Sequence, residues 1–286
     1  MYVFTTVDAL KAHLHAQRRA GRQWGLVPTM GALHEGHLSL VRRSNAENDF
    51  TVATLYVNPT QFNNPDDLAR YPRTLDADRQ LLESAGCAVL FAPTDAEMYP
   101  APATLRFSFG DLETVMEGQF RPGHFNGVAT VVSKLFHHAE PAVAYFGQKD
   151  LQQFAVIRRL VQDLAFPLRL VRCPIVREPD GLAMSSRNRR LEPEARKVAA
   201  VLSYALREAA EALQQTKSPE VAKGLIGQIF YPIEGVFLEY FEVVDAASLQ
   251  PVTTPDGHAE VALCIAAYVG EVRLIDNLIV TPGGVQ

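Results

Sequence analysis

Apolar runs and amphipathic stretches alternate along the first 175 residues. WGLVPT (24–29), FTVATLYV (50–57), CAVLFA (87–92), AVAYFG (142–147) and LRLVRCPIV (168–176) are apolar almost throughout, as strands buried on both faces are. Between them, residues near 37–47, 74–85, 127–139 and 150–164 carry apolar positions at helical spacing. Buried strands separated by helices predict a parallel sheet covered on both sides, in which ligands lie beyond the carboxyl ends of the strands. The N-terminal stretch MYVFTTVDALKAHLHAQRRAG reads as a short strand followed by an amphipathic helix.

After DGLAMSSRNRRL the texture changes. A long helix is expected from Pro193 to about Gln214 and another from Pro219 to about Phe230. VFLEYFEVV, AEVALCIAAYVG and VRLIDNLIV then read as an antiparallel sheet. The expected fold class is α/β, a Rossmann-like parallel sheet over residues 1–176, with a smaller α+β unit over residues 177–286.

Bulk properties narrow the function. With 27 basic against 32 acidic residues, the net charge of −5 argues against a general nucleic-acid binder, although a local basic patch can still hold a small polyanion. No uncharged apolar run is long enough for a membrane span, and the N-terminus lacks the basic-then-apolar order of a signal peptide. Cys87, Cys173 and Cys264 lie far apart in apolar runs, so buried structural thiols are expected rather than a metal or redox site.

The chemically active residue types follow the strands. After WGLVPT comes MGALHEGH, where Gly31 and Gly36 let a ligand approach the backbone and a helix is expected to start near His37. His34 and His37, three apart, can aim ring N–H groups at one phosphate. Asn58 and Gln61 are neutral amides after the next strand, suited to a substrate's hydroxyls and carboxylate. Gly147 precedes Lys149, which can neutralise phosphate charge; Asp150 is read mainly as a helix cap, and Gln153 lies one turn further on. Ser185, Ser186 and Arg187 form a candidate phosphate clamp, with helix capping as the alternative. Arg121 and His124 either reach the site or decorate a loop. His137 and His138 suit the negative end of a helix dipole, and Asp76 and Asp78 read as ordinary acidic residues of a helix start rather than magnesium ligands.

Taken in order, VPTMGALHEGH, YVNPTQF, YPRT, RPGHFNGVATVVSKLF, FGQKDLQQ and DGLAMSSRNRRL resemble the pantoate–β-alanine ligase (pantothenate synthetase) family of the His-x-Gly-His nucleotidyltransferases. The last 90 residues match loosely, through YFEVVDAASLQPV and RLIDN. Many relatives have Gly-Glu-Lys-Asp where this chain has Gly147-Gln148-Lys149-Asp150, and the segment GLIGQIFYPIEGVFLEY is unusual for the family. The resemblance implies ATP at Met30, Gly31, Ala32, Leu33, His34, Glu35, Gly36 and His37, at Gly147, Gln148, Lys149 and Asp150, and at Val176, Met184, Ser185, Ser186 and Arg187. It implies pantoate and β-alanine at Gln61, pantoate at Gln153, a proton-donor role for His37, a pantoyl-adenylate intermediate and Mg2+ with the ATP. It further implies a cytoplasmic homodimer with no nucleic-acid or membrane partner. Competing readings are a nucleotidyltransferase that keeps the nucleotide on its product, a tRNA-charging enzyme and a non-catalytic nucleotide sensor.

Overall fold

The computed structural model describes residues 1–282 and 284–285. The first part of the chain runs β1 (Tyr2–Phe4), α1 (Val7–Arg19), β2 (Trp24–Thr29), α2 (Glu35–Glu47), β3 (Phe50–Leu55), α3 (Pro65–Arg70), α4 (Leu75–Ser84), β4 (Val89–Phe91), α5 (Asp95–Met98), α6 (Met116–Phe120), α7 (His124–Ala139), β5 (Val143–Gly147), α8 (Leu151–Asp163) and β6 (Arg169–Cys173). Its strands form one sheet in the order β1-β4-β3-β2-β5-β6, parallel throughout. Every residue of β3 is buried, because apolar side chains of α1, α7 and α8 cover one face and those of α2 and α4 the other. That is the doubly covered α/β sheet the pattern predicts.

The strand order reverses between β2 and β5, and there the sheet opens. The two strands pair only at Gly25–Val143 and Leu26–Ala144, although β2 continues to Thr29 and β5 to Gly147. Their carboxyl ends therefore splay, and Pro28 has no N–H with which to extend the ladder. This is the crevice in which an open parallel sheet binds its ligands.

The remainder comprises α9 (Pro193–Val198), α10 (Val201–Thr216), α11 (Pro219–Phe230), β7 (Val236–Asp245), β8 (Val261–Val269), β9 (Val272–Thr281) and β10 (Gly284–Val285), the strands forming an antiparallel sheet in the order β10-β9-β8-β7. Alternate side chains settle its two faces. Phe241, Val243, Leu263 and Ile265 pack under α10 and α11, whereas Val244, Ala262, Cys264 and Ile279 pack on Leu151, Ala155 and Val156 of α8. The expected single helix from Pro193 is interrupted at Ala199 and Ala200, which keep helical φ but flatten in ψ. The segment GLIGQIFYPIEGVFLEY forms the end of α11, a turn and the start of β7. The three thiols are free and buried. His138 cannot serve as a charge at the end of α7, since burial lowers its pKa to about 4 and leaves it neutral at pH 7.

Candidate active site

The turn after β2 carries the two histidines, and local hydrogen bonds decide how they present themselves. Helix α2 starts at Glu35 rather than His37, with His34 as its cap. His34 Nδ1 accepts from Gly36 N–H at 3.2 Å, and His37 Nδ1 accepts from His34 N–H at 3.4 Å. With both Nδ1 lone pairs occupied, this geometry assigns each ring the tautomer that has its proton on Nε2. The rings sit 4.1 Å apart between centroids. Gly36 is required between them, because a Cβ there would lie 2.9 Å from His34 Cε1 and Nδ1. Burial first, and then the nearby Lys149 and Arg189 charges, lower the His34 pKa to about 4. Burial, the His34 ring and the same two cations put His37 well below its usual range. At neutral pH the pair is two uncharged rings, each with a fixed N–H donor.

A cleft of about 210 Å³ lies beyond the splayed strands. It brings together Met30, His34, Gly36, His37, Asn58, Gln61, Gly147, Lys149, Asp150, Gln153, Val176, Met184, Ser185, Ser186 and Arg187. Arg121 and His124 line it as well, which decides the open question about them. A neighbouring cavity of about 30 Å³ has room for water only. An apolar wall from α7, including Val128, Val131, Val132 and Leu135, was not anticipated as part of the site.

Five expected ATP contacts do not line the cleft: Gly31, Ala32, Leu33, Glu35 and Gln148. Ala32, at a left-handed φ of 51°, and Leu33 are wholly buried. Their N–H groups donate to Asp78 at 2.9 and 2.8 Å, and their carbonyls accept from Ser186 Oγ and Arg189 at 2.9 Å each. These peptide groups are engaged within the protein and support the turn. Asp78 is therefore no routine helix-start acid: at 2% exposure it shares the buried face of α4 with Leu82, one turn on. The i, i+4 spacing to Leu82 marks Asp78 as facing inward, but not which groups it meets.

Asn58 lines the cleft and is bonded within the protein. Its amide donates to Gln61 Oε1 and Gly127 O, each at 3.1 Å, while its Oδ1 accepts from Tyr99 and Thr60 hydroxyls. Those bonds orient Gln61. Gly127 lets this happen, since a Cβ there would meet Thr60 O at 2.3 Å. Gln61 Nε2 rests on Met30 Sδ at 3.0 Å, a weak acceptor that a better ligand can replace. His124 Nδ1 lies 2.8 Å from Gln61 O, fixing the same turn. Asp150 caps α8 by position, without a side-chain bond, and lies 3.8 Å from Lys149 Nζ.

The Ser185–Arg187 clamp is already engaged within the protein. Ser185 Oγ caps the turn Ser186–Arg190 by accepting from Arg187 N–H. Arg187 and Arg190 both grip Asp67, at 3.0 and 2.8 Å. Burial alone would raise the Asp67 pKa, but the two guanidinium groups more than offset it and hold the carboxyl below its usual range. Among the described residues no group of three or more His, Cys, Asp or Glu side chains could hold a metal.

A doubly covered parallel sheet with paired N–H donors, a lysine and an arginine clamp at its switch point defines an α/β protein built to hold a polyanionic nucleotide. Known proteins narrow this. A family model described as pantoate-beta-alanine ligase matches residues 2–279, and the chain belongs to that family. It is 51% identical over 278 residues to the pantothenate synthetase of Bacteroides thetaiotaomicron, covering 97% of this chain and 98% of the relative. Among solved structures it is similar to pantothenate synthetase from Thermus thermophilus, with a TM-score of 0.91, 45% identity and coverage of 97% and 99%. It is also similar to pantoate-beta-alanine ligase from Francisella tularensis complexed with β-γ ATP and β-alanine, with a TM-score of 0.78, 35% identity and 97% coverage of each chain.

Proposed function

We propose that this protein condenses (R)-pantoate with β-alanine to give pantothenate in two steps at the one cleft. In the first, a pantoate carboxylate oxygen attacks the α-phosphorus of ATP, the bond to pyrophosphate breaks, and pantoyl-adenylate forms. In the second, the β-alanine amine attacks the acyl carbon, loses a proton, and AMP leaves. The observation that carries this reading is the convergence of His34, His37 and Lys149 with Gln61 and Gln153 on one crevice.

No base is needed for the first step, because a carboxylate with a pKa of about 4 is ionised at pH 7. What it needs is stabilisation of charge on the phosphates and in-line placement. The two Nε2–H donors, Lys149 and Arg187 supply the first; the amides of Gln61 and Gln153 hold pantoate without neutralising its carboxylate. The α7 wall of Val128, Val131 and Val132 suits the two methyl groups of pantoate. His37, as a neutral ring with Nδ1 occupied, stabilises the leaving pyrophosphate by donating a hydrogen bond rather than by giving up a proton. Among the described residues Asp150 is the single carboxylate lining the cleft, so magnesium would enter on the triphosphate, held chiefly by phosphate oxygens.

In this reading residues 177–286 form the smaller unit that completes the site, and the enzyme is a cytoplasmic homodimer. The test is isotopic. With 18O in the pantoate carboxylate, mass spectrometry should find one label in AMP, and pyrophosphate should appear before β-alanine is added. Unlabelled AMP would reject the adenylate route. A nucleotidylated product that persists when amine is present would reject the ligase in favour of a transferase.

A further inference from the structure

Lys149 stands at the carboxyl end of β5, but the residue that fixes its turn belongs to the other sheet. Asn277, on β9, is 2% exposed and packed against the turn Gln148–Asp150. Its Nδ2 donates to the carbonyls of both Gln148 and Lys149 at 2.9 Å, and its Oδ1 accepts from Gln148 Nε2 at 3.3 Å. Asn277 is itself held on both sides. Asp276 takes Arg177 through both carboxylate oxygens, at 2.6 and 3.0 Å, and accepts the Asn277 N–H at 2.8 Å; Arg177 also reaches Asn277 O at 3.3 Å.

An amide with both hydrogens on successive carbonyls fixes the planes of two adjacent peptide groups, and with them the direction in which the Lys149 side chain leaves the backbone. The polar atoms of the amide are taken up by Gln148 and Lys149, and the cavity beside it holds only about 30 Å³.

We propose that Asn277 is a positioning residue for Lys149, through which the second sheet sets where the ammonium meets the triphosphate. The inference rests on the role assigned to Lys149 above, and the measurement separates the two. The rival is that Asn277 merely helps hold the two units together. Arg172, opposite Phe146 on β6, grips Glu260 through both oxygens and ties the same units by bonds outside the turn.

The experiment is single-turnover pyrophosphate release with MgATP and pantoate. It compares wild type with Asn277→Ala, Asn277→Ser, Lys149→Ala, Asn277→Ala/Lys149→Ala and Arg172→Ala. A catalytic group displaced by about an ångström costs up to about a hundredfold, so Asn277→Ala should slow adenylation about tenfold to a hundredfold. Asn277→Ser, which keeps one donor, should fall between it and wild type. The pantoate concentration dependence should not move, Arg172→Ala should resemble wild type, and the loss from Asn277→Ala should largely vanish once Lys149 is absent. Near-normal adenylation by Asn277→Ala beside a slow Lys149→Ala overturns the proposal, as does an equal penalty with and without the lysine or an equal loss in Arg172→Ala. Should Asn277→Ala not fold, Asn277→Ser decides in the same comparison. A near-normal Lys149→Ala removes the lysine's role, and the inference with it.

Discussion

Asp78 offers the sharpest test of how the histidine turn is held. Its carboxylate takes two buried backbone N–H groups at 2.9 and 2.8 Å and the Thr74 hydroxyl at 3.1 Å. Asp78→Asn keeps the shape, removes the charge and turns one acceptor into a donor that faces an N–H. A hydrogen bond to a charged group contributes about 1.5–3 kcal/mol, and an orphaned buried N–H costs about 1–3 kcal/mol. Losing one bond and weakening the other comes to roughly 3 kcal/mol, which for a chain of this size lowers the melting temperature by roughly 6–12 °C. Function should suffer separately. Ala32 is held at a left-handed φ of 51°, a conformation worth about 1–3 kcal/mol of strain, so without its clamp the turn relaxes and His34 moves. ATP-dependent adenylation should then fall about a hundredfold even at a temperature where the variant is fully folded. Asp76→Asn, on the exposed first turn of the same helix, is the control and should change stability by no more than about 0.5 kcal/mol. The reasoning fails if Asp78→Asn melts with Asp76→Asn and turns over ATP as the wild type does.

Removing one transition-state donor costs about 3–4 kcal/mol, so His37→Ala should slow single-turnover adenylation by about 10² to 10³ while leaving the far-ultraviolet circular dichroism unchanged. Asp67→Asn frees Arg187 and Arg190 from their internal carboxylate and should lower the KM for ATP several-fold; a KM unchanged or raised would mean that the pair never competes with phosphate. Acid should weaken the fold through its buried histidines: His34, His124 and His138 have pKa values near 4, down from 6.5, chiefly because burial disfavours their charge. The unfolded chain then binds protons that the native one refuses, so stability is full above pH 6.5 and declines towards pH 4, by up to roughly 3 kcal/mol for the buried His124 alone. Urea melts at pH 7.0, 5.5 and 4.5 would check this. On trapping the adenylate, hydrogen exchange should slow in residues 184–190 and stay constant in β7–β9; the reverse would refute a response centred on the arginine turn.

The sheet could be read from the chain because its strands are buried on both faces and so carry unbroken apolar runs. The candidate cleft could be located because an open parallel sheet opens to ligands at its strand ends. Residues whose partners are backbone groups stayed hidden. Asp78 meets amides 45 and 46 positions earlier, and Asn277 meets carbonyls 128 and 129 positions away; no spacing rule links a side chain to a distant peptide group. Asn58 shows a related difficulty, since nothing in its loop marks that its amide is bonded to Gln61 and to Gly127, 69 positions on. Helices α3, α5 and α6, of four to six residues, are too short to display a period, and Ala199-Ala200 breaks a helix with neither glycine nor proline to mark it.

Which part of the second unit can close over a reactive intermediate follows from what holds it. The face of its sheet against α8 is apolar, with Val244, Ala262 and Ile279 on Leu151, Ala155 and Val156. Beside it, Arg273 bridges Glu117 and Glu239, and the bonds from Arg273 outweigh the burial that would otherwise raise Glu117, bringing its pKa to about 2. Swinging this sheet away would expose several side chains at about 1.5–3 kcal/mol each and strand an ionised carboxylate. The segment Ser185–Arg190 is held differently, by Ser186 on Ala32, Arg189 on Leu33 and two partly exposed arginines on Asp67. Ion pairs of that kind contribute about 1 kcal/mol or less. A triphosphate offers those arginines more charge than Asp67 does, so ligand binding can reorganise the segment at small cost. On these contacts the sheet is the part expected to stay fixed on trapping the adenylate, and the arginine turn the part expected to move.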